Sequence, residues 1–292
     1  MSTATTTPVV HRKKVDWTKQ ALRAWAVLMY LFLFLPILWI VAFSFNTGRL
    51  LTVWNGFGFE GYQALFNNPA PREAVVVSLI VGVLSAIIAT VLGSLAGVAL
   101  ARRPGKWTIV FLVFVALILV TPEIVDAIAL LPWYVQLGQG WNLTIFNNGY
   151  VRLIVSHAIF STAVVTLIVR ARLSGIDEAL EEAASDLYAT PTKRFTQITF
   201  PLMLPAVLAG GLLAFTLSLD NTVISSFVSI QGTTPWPVYV FASVKTSLRP
   251  DIASISTLMF ILTVLAISLV AVVLKRGGDS SGDIAATMTG TG

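Results

Sequence analysis

The sequence predicts an all-α membrane protein with six transmembrane helices. Three observations carry that expectation. Of 292 residues, 56% are hydrophobic and only 11% are charged, with a mean hydropathy of +0.82, the composition of a chain that lies mostly in lipid. The apolar residues fall into six blocks, at about 24–45, 75–100, 107–134, 151–171, 202–222 and 253–274. Each is near the roughly 20 residues that a bilayer core requires. The 19 lysines and arginines are also unevenly spread: only Arg49, Arg72, Arg152, Lys245 and Arg249 fall on one side of the alternating blocks, and the rest fall on the other. The positive-inside rule then puts both termini, and the segment between blocks four and five, in the cytoplasm. The net charge of +5 follows this topology, so nucleic-acid binding is not expected.

Residues 1–24 open with Ser, Thr and Pro and turn basic at Arg12, Lys13, Lys14, Lys19 and Arg23, the pattern of a disordered tip and a cytoplasmic anchor. The first block is too long for a signal-peptide core and has no A-x-A cleavage site at its end, so it is expected to stay uncleaved. Block two carries Gly82, Ser85, Ala86, Ala89, Gly93, Ala96 and Gly97 at helical spacing. Small residues let helices approach closely in lipid, which suits a core helix of the bundle or a dimerisation face.

The third block is interrupted at Thr121-Pro122, roughly 21 Å into the membrane at about 1.5 Å per residue. Glu123 and Asp126 follow, three apart and so on one helix face. Carboxylates at that depth are costly and face a cavity or a partner; in the headgroup region instead, Trp133 and Tyr134 would be interfacial anchors. His157, in the apolar fourth block, reads as a packing residue with its polar atoms satisfied. Block five begins after Pro201 and Pro205 and ends in Ser218-Leu219-Asp220-Asn221, which sets Asp220 roughly 23 Å beyond Pro205. Residues 223–250 form an external re-entry segment, block six returns inward to Lys275-Arg276, and 276–292 reads as a disordered cytoplasmic tail.

The chain has no cysteine and only two histidines, His11 and His157, which excludes disulfides and makes a metal site unpromising. It has no G-x-x-x-x-G-K-[ST] or H-E-x-x-H, and no loop long enough for a soluble catalytic domain. No cofactor is expected, catalysis is not expected, and any ATP must be bound by another subunit.

The polar island from Ser174 to Pro205 organises the rest. Ile176, Leu180, Ala183, Ala184 and Leu187 recur at spacings of three and four, predicting a short amphipathic helix with Ser174 as its N-cap. Asp177, Glu178, Glu181 and Asp186 fall largely elsewhere around it, mostly in its first turns, where the helix dipole favours negative charge. Thr190-Pro191 reads as the cap and first turn of a second helix running into block five.

Glu182-Ala183-Ala184, followed at the right distance by Ile198-Thr199-Phe200-Pro201, resembles the EAA loop of ABC importer permeases, whose pattern is E-A-A, three residues, G, nine residues, I-x-L-P. Two positions depart: Tyr188 stands in place of Gly and Phe200 in place of Leu. An alternative turn at Ala189-Thr190-Pro191 would compensate for the missing glycine. Pro122 to Val125 and the stretch through Leu219-Asp220-Asn221 and Ser225-Ser226-Phe227 are similar to the second permease of spermidine/putrescine importers. Permeases for ferric iron, thiamine and aminoethylphosphonate share much of the layout.

The resemblance implies a MetI-like permease bundle over residues 25–275 in the bacterial cytoplasmic membrane, with a coupling helix in the loop 174–201. It also implies a heterodimer with a second permease subunit, two ATPase subunits and an extracytoplasmic substrate-binding protein. Glu182, Ala183, Ala184, Asp186 and Leu187 would contact the ATPase. Glu123, Asp126 and Asp220 are the candidate pathway acids, with Trp133 and Tyr134 offering aromatic faces to a cationic substrate. An ion-gradient-driven secondary transporter is the competing mechanism; it predicts interrupted helices in corresponding halves, and no convincing pair occurs.

Overall fold

The computed structural model describes residues 17–48, 53–246 and 249–276. Helices account for most of them, and an isolated bridge between Asn46 and Phe57 is the one extended pairing among the described residues. Among the described residues, five helices are long and apolar enough to cross a membrane, and a bent pair makes a sixth when counted as one span. The terminal tails beyond 17 and 276 lie outside the described residues.

Helix α1 (Trp17–Phe43) starts seven residues before the apolar block, so Lys19 and Arg23 ride on its first turns and not on an irregular tail. It stands at the edge of the bundle, with only 6% of its most apolar stretch buried. A short helix, α2 (Glu60–Asn67), leads into α3 (Pro69–Arg102). Asn68 caps α3 by accepting from the Ala70 amide at 3.1 Å, and Pro69 at the first position has no amide to leave unpaired.

The interruption at Thr121-Pro122 is a bend. Helix α4 (Lys106–Val120) and α5 (Glu123–Val135) meet at 103°. Pro122 forces Thr121 out of the helical region (ψ 129°), as a proline does to the residue before it. After a π turn and a 3-10 turn comes α6 (Gly149–Ser174), capped by Asn148, whose side chain accepts from Tyr150 N at 2.9 Å.

The island folds as α7 (Ala179–Asp186) and α8 (Pro191–Arg194), and α8 passes through a π turn at Phe195–Thr199 into α9 (Phe200–Asp220). The re-entry segment holds α10 (Val223–Val228) and α11 (Trp236–Thr246), and α12 (Pro250–Arg276) closes the bundle.

Helices α3, α6 and α9 form the centre. A side-chain carbon on Gly93 would sit 2.7 Å from Val165 Cβ and 3.0 Å from the Thr162 carbonyl; on Gly97 it would meet Val169 Cβ at 2.9 Å and the Thr166 carbonyl at 3.0 Å. The glycine stripe is therefore consumed inside the chain, against α6, and the dimerisation reading of Gly93 and Gly97 gives way to intramolecular packing. The reason is physical: lipid gives no hydrophobic drive to helix association, so close backbone approach and van der Waals contact must supply it. Ala86, Ala89, Val165, Val169, Leu173, Met203 and Ala214 make the core at the α7 end. Val77, Val81, Ala127, Tyr134, Leu153 and Ile224 make it at the opposite end.

Candidate functional site

Two regions carry the candidate residues, one at each end of the bundle. At the α7 end, α6 runs through Ser174, whose hydroxyl donates to the Arg170 carbonyl at 2.9 Å. Ser174 is thus the last residue of α6 and not the N-cap of α7. That capping work falls to Asp177, whose Oδ1 accepts from the Ala179 amide at 2.9 Å.

Arg102, at the last turn of α3, holds α7 in place. Its Nε donates to Glu181 Oε1 at 2.9 Å and its Nη1 to Glu178 Oε1 at 3.2 Å and the Leu173 carbonyl at 3.2 Å. Glu181 is therefore turned toward the protein, and the stripe of Leu180, Ala183 and Leu187 is turned away: Leu180 is 49% and Leu187 is 82% exposed, and Ala183 is exposed, while Ile176 packs against the core. Glu182 and Asp186 are exposed beside the stripe, whereas Ala184 is half-buried. An ordinary amphipathic helix does the reverse.

The missing glycine leaves a clear mark. Tyr188 adopts φ 58°, in the left-handed region, and the Ala189 amide bonds to the Ala184 carbonyl (3.0 Å) while the Tyr188 amide bonds to that of Ser185 (2.9 Å). This is the glycine-type helix ending performed by a tyrosine, so the expected alternative turn is not needed. Thr190 then caps α8 as expected, accepting from Lys193 N at 3.4 Å, and Arg194 donates to the Ser185 hydroxyl, tying α8 back to α7.

At the opposite end, Glu123 and Asp126 are half-buried on the first turn of α5, just past the bend. Asp126, with Ser156, Phe160 and Ile224, lines a cavity of about 140 Å³. Asp220 is exposed at the end of α9, on the lip of a cavity of about 710 Å³ walled by Trp236, Phe241, Met259 and Phe260. Asp126 and Asp220 thus open onto separate spaces within this chain, and the fold does not bring the three acids into one cluster. Trp133 is 48% exposed and packs edge-on to Trp141, with centroids 5.5 Å apart. Tyr134 is 1% exposed, stacked on Phe146 with its hydroxyl 2.8 Å from Ser156 Oγ. Its ring belongs to the core and offers no face to a solute in this chain.

The walls of the larger cavity are not legible in the sequence, because α9, α11 and α12 meet there only through folding. A carboxylate at the lip of an aromatic chamber suits an organic cation, by charge and by the negative faces of the rings. Lys245 Nζ already sits 4.4 Å from the Phe241 ring centroid. Among the described residues, no three His, Asp or Glu side chains are grouped to hold a metal.

Comparison with known proteins gives this geometry a context. The chain is 39% identical over 238 residues to the putrescine transport system permease PotI of Escherichia coli K12, covering 80% of this chain and 83% of that one. It is 33% identical over 255 residues to the spermidine/putrescine transport system permease PotC of Haemophilus influenzae, covering 87% and 96%. A solved bacterial ABC transporter involved in the import of the acidic polysaccharide alginate superposes with a TM-score of 0.66 at 16% identity, over 91% of this chain and 99% of that one, and it shares the fold. Residues 89–277 match the family described as binding-protein-dependent transport system inner membrane component, and the chain belongs to that family of ABC importer permeases.

Proposed function

We propose that this chain is one of two permease subunits of an ATP-driven polyamine importer in the bacterial cytoplasmic membrane, with both termini in the cytoplasm. Two separate ATPase subunits hydrolyse ATP, and an extracytoplasmic binding protein delivers substrate. The observation that carries the coupling half of this reading is the outward-turned stripe of α7. Leu180, Ala183 and Leu187 form an apolar strip held by Arg102, with Glu182 and Asp186 beside it. Ala183, having only a methyl group, admits a partner close to the backbone. Closure of the ATPase pair would move α7 as a rigid body together with the α3 end to which it is tied, and with α6 and α9 on either side.

Substrate class rests on the permeases for putrescine and for spermidine/putrescine to which the chain is similar, and on Asp220 at its aromatic cavity. Glu123, Asp126 and Asp220 supply separated negative charges along the path, each weak enough to release a cation it has paired. A phosphonate would instead call for basic residues at these positions. The test is ATP-dependent uptake of labelled putrescine and spermidine by proteoliposomes holding the whole complex. Asp220→Asn is expected to raise the KM for putrescine about tenfold, the loss of one charge-assisted contact. Absence of uptake by the intact wild-type complex rejects the substrate class, and an unchanged KM in Asp220→Asn removes that residue from the path.

A further inference from the structure

His157 lies in the middle of α6, 2% exposed, and both of its ring nitrogens are engaged. Nδ1 is 2.6 Å from Ser218 Oγ and Nε2 is 2.9 Å from Ser225 Oγ. Ser85 on α3 donates to Ser218 Oγ at 3.1 Å, so the run of hydrogen bonds passes from α3 through α9 and α6 to α10. Either tautomer of a neutral imidazole satisfies both ring nitrogens here, one donating and the other accepting, in keeping with burial among hydroxyls.

The two serines at its ends flank the break between α9 and α10. Ser218 stands two residues before Asp220 and Ser225 five after it, and Asn221 Oδ1 accepts from the Ile224 and Ser225 amides at 3.1 and 3.4 Å to start α10. Asp220 is thus the exposed residue of a junction pinned on both sides by one buried ring. We propose that His157 is a positioning residue: by bridging Ser218 and Ser225 it fixes the α9–α10 junction and holds the Asp220 carboxylate at the lip of its cavity for a cationic substrate. The inference rests on the reading of Asp220 as a pathway residue.

The experiment is a double-mutant cycle on putrescine uptake by the complete complex in proteoliposomes. His157→Leu removes both bonds at similar size, and is expected to raise KM about tenfold with Vmax within about twofold. His157→Gln carries an acceptor and a donor on one terminal amide, spaced much as the ring nitrogens are, and should return KM to within about threefold of wild type. In an Asp220→Asn background, His157→Leu should add less than about twofold, because both changes act through one carboxylate. A multiplicative effect in that background, or a Gln variant as defective as Leu, overturns the positioning role while leaving Asp220 in the path. If Asp220→Asn alone leaves KM unchanged, the pathway reading falls and the inference falls with it. Should the Leu variant fail to assemble, Ser225→Ala, which cuts only one end of the bridge, goes through the same cycle: a sub-twofold effect in the Asp220→Asn background supports the positioning role, and a multiplicative one overturns it.

Discussion

The two ends of the bundle hold their candidate residues by different forces. At the α7 end a short helix is held by charge, through Arg102 to Glu178 and Glu181, and turns its apolar side outward. At the other end Asp126 and Asp220 lie on elements held by neutral hydrogen bonds among Tyr134, Ser156, His157, Ser218 and Ser225. Ion pairs form at little cost where water reaches them, whereas inside the bilayer an ionised pair must be desolvated, and hydroxyl and imidazole networks are the less costly fastening. The proposed docking face comes from one contiguous stretch fastened by Arg102 of α3, whereas the proposed substrate end is assembled from α5, α6, α9 and α10, with His157 bonded to partners 61 and 68 residues away.

The largest expected effect breaks the comparison at the docking end. Glu182→Lys or Ala183→Trp should reduce ATP-driven uptake to background while the chain remains inserted and the complex still binds its substrate-loaded binding protein. Normal uptake in both variants would remove the α7 face from coupling. A second change strikes what both ends share, the α3–α6 contact. Gly93→Leu forces a side chain into Val165 and the Thr162 carbonyl and should cost about 1–3 kcal/mol, read as a lower Tm of the purified complex in detergent.

Smaller effects sharpen the comparison. Arg102 and Glu181 side chains are 13% and 20% exposed and that of Glu178 is 64% exposed, so Glu181→Ala should impair coupled ATPase activity more than Glu178→Ala. Equal effects would mean that the fastening is not the partly buried pair. The smallest change is a gain: Tyr188→Gly relieves a left-handed tyrosine and should stabilise the end of α7 by about 1 kcal/mol, seen as slower exchange of the Ala189 amide. Faster exchange there would show that the tyrosine side chain contributes more than its backbone costs.

Much of this is legible in the sequence, and the residues show why the rest is not. The spans follow from apolar block length, the bend at Thr121-Pro122 from proline chemistry, and the second island helix from Thr190-Pro191. Periodicity gathers Leu180, Ala183 and Leu187 onto one face of α7 but cannot say which way that face points. Its direction is set by Arg102, 79 residues from Glu181. Serine before an acidic turn fits an N-cap, yet α6 simply continues through Ser174. His157 is satisfied, as its apolar setting implies, but its partners lie 61 and 68 residues away, and Trp236, Phe241 and Phe260 gather around Asp220 only after folding. Tyr134 shares its neighbourhood with Trp133 in sequence, but helical geometry turns one ring inward and the other out.

The most direct test of the central claim, that α7 docks the ATPase, is a cross-link from its exposed end. Because the chain contains no cysteine, Leu187→Cys creates a unique thiol at an 82% exposed position, to which a maleimide photo-cross-linker can be attached in the assembled complex. Light is expected to join this chain to the ATP-hydrolysing subunit, with a yield that changes between nucleotide-free and ATP-bound states. Cross-linking to lipid or to the second permease alone, with none to the ATPase in either state, would contradict the claim.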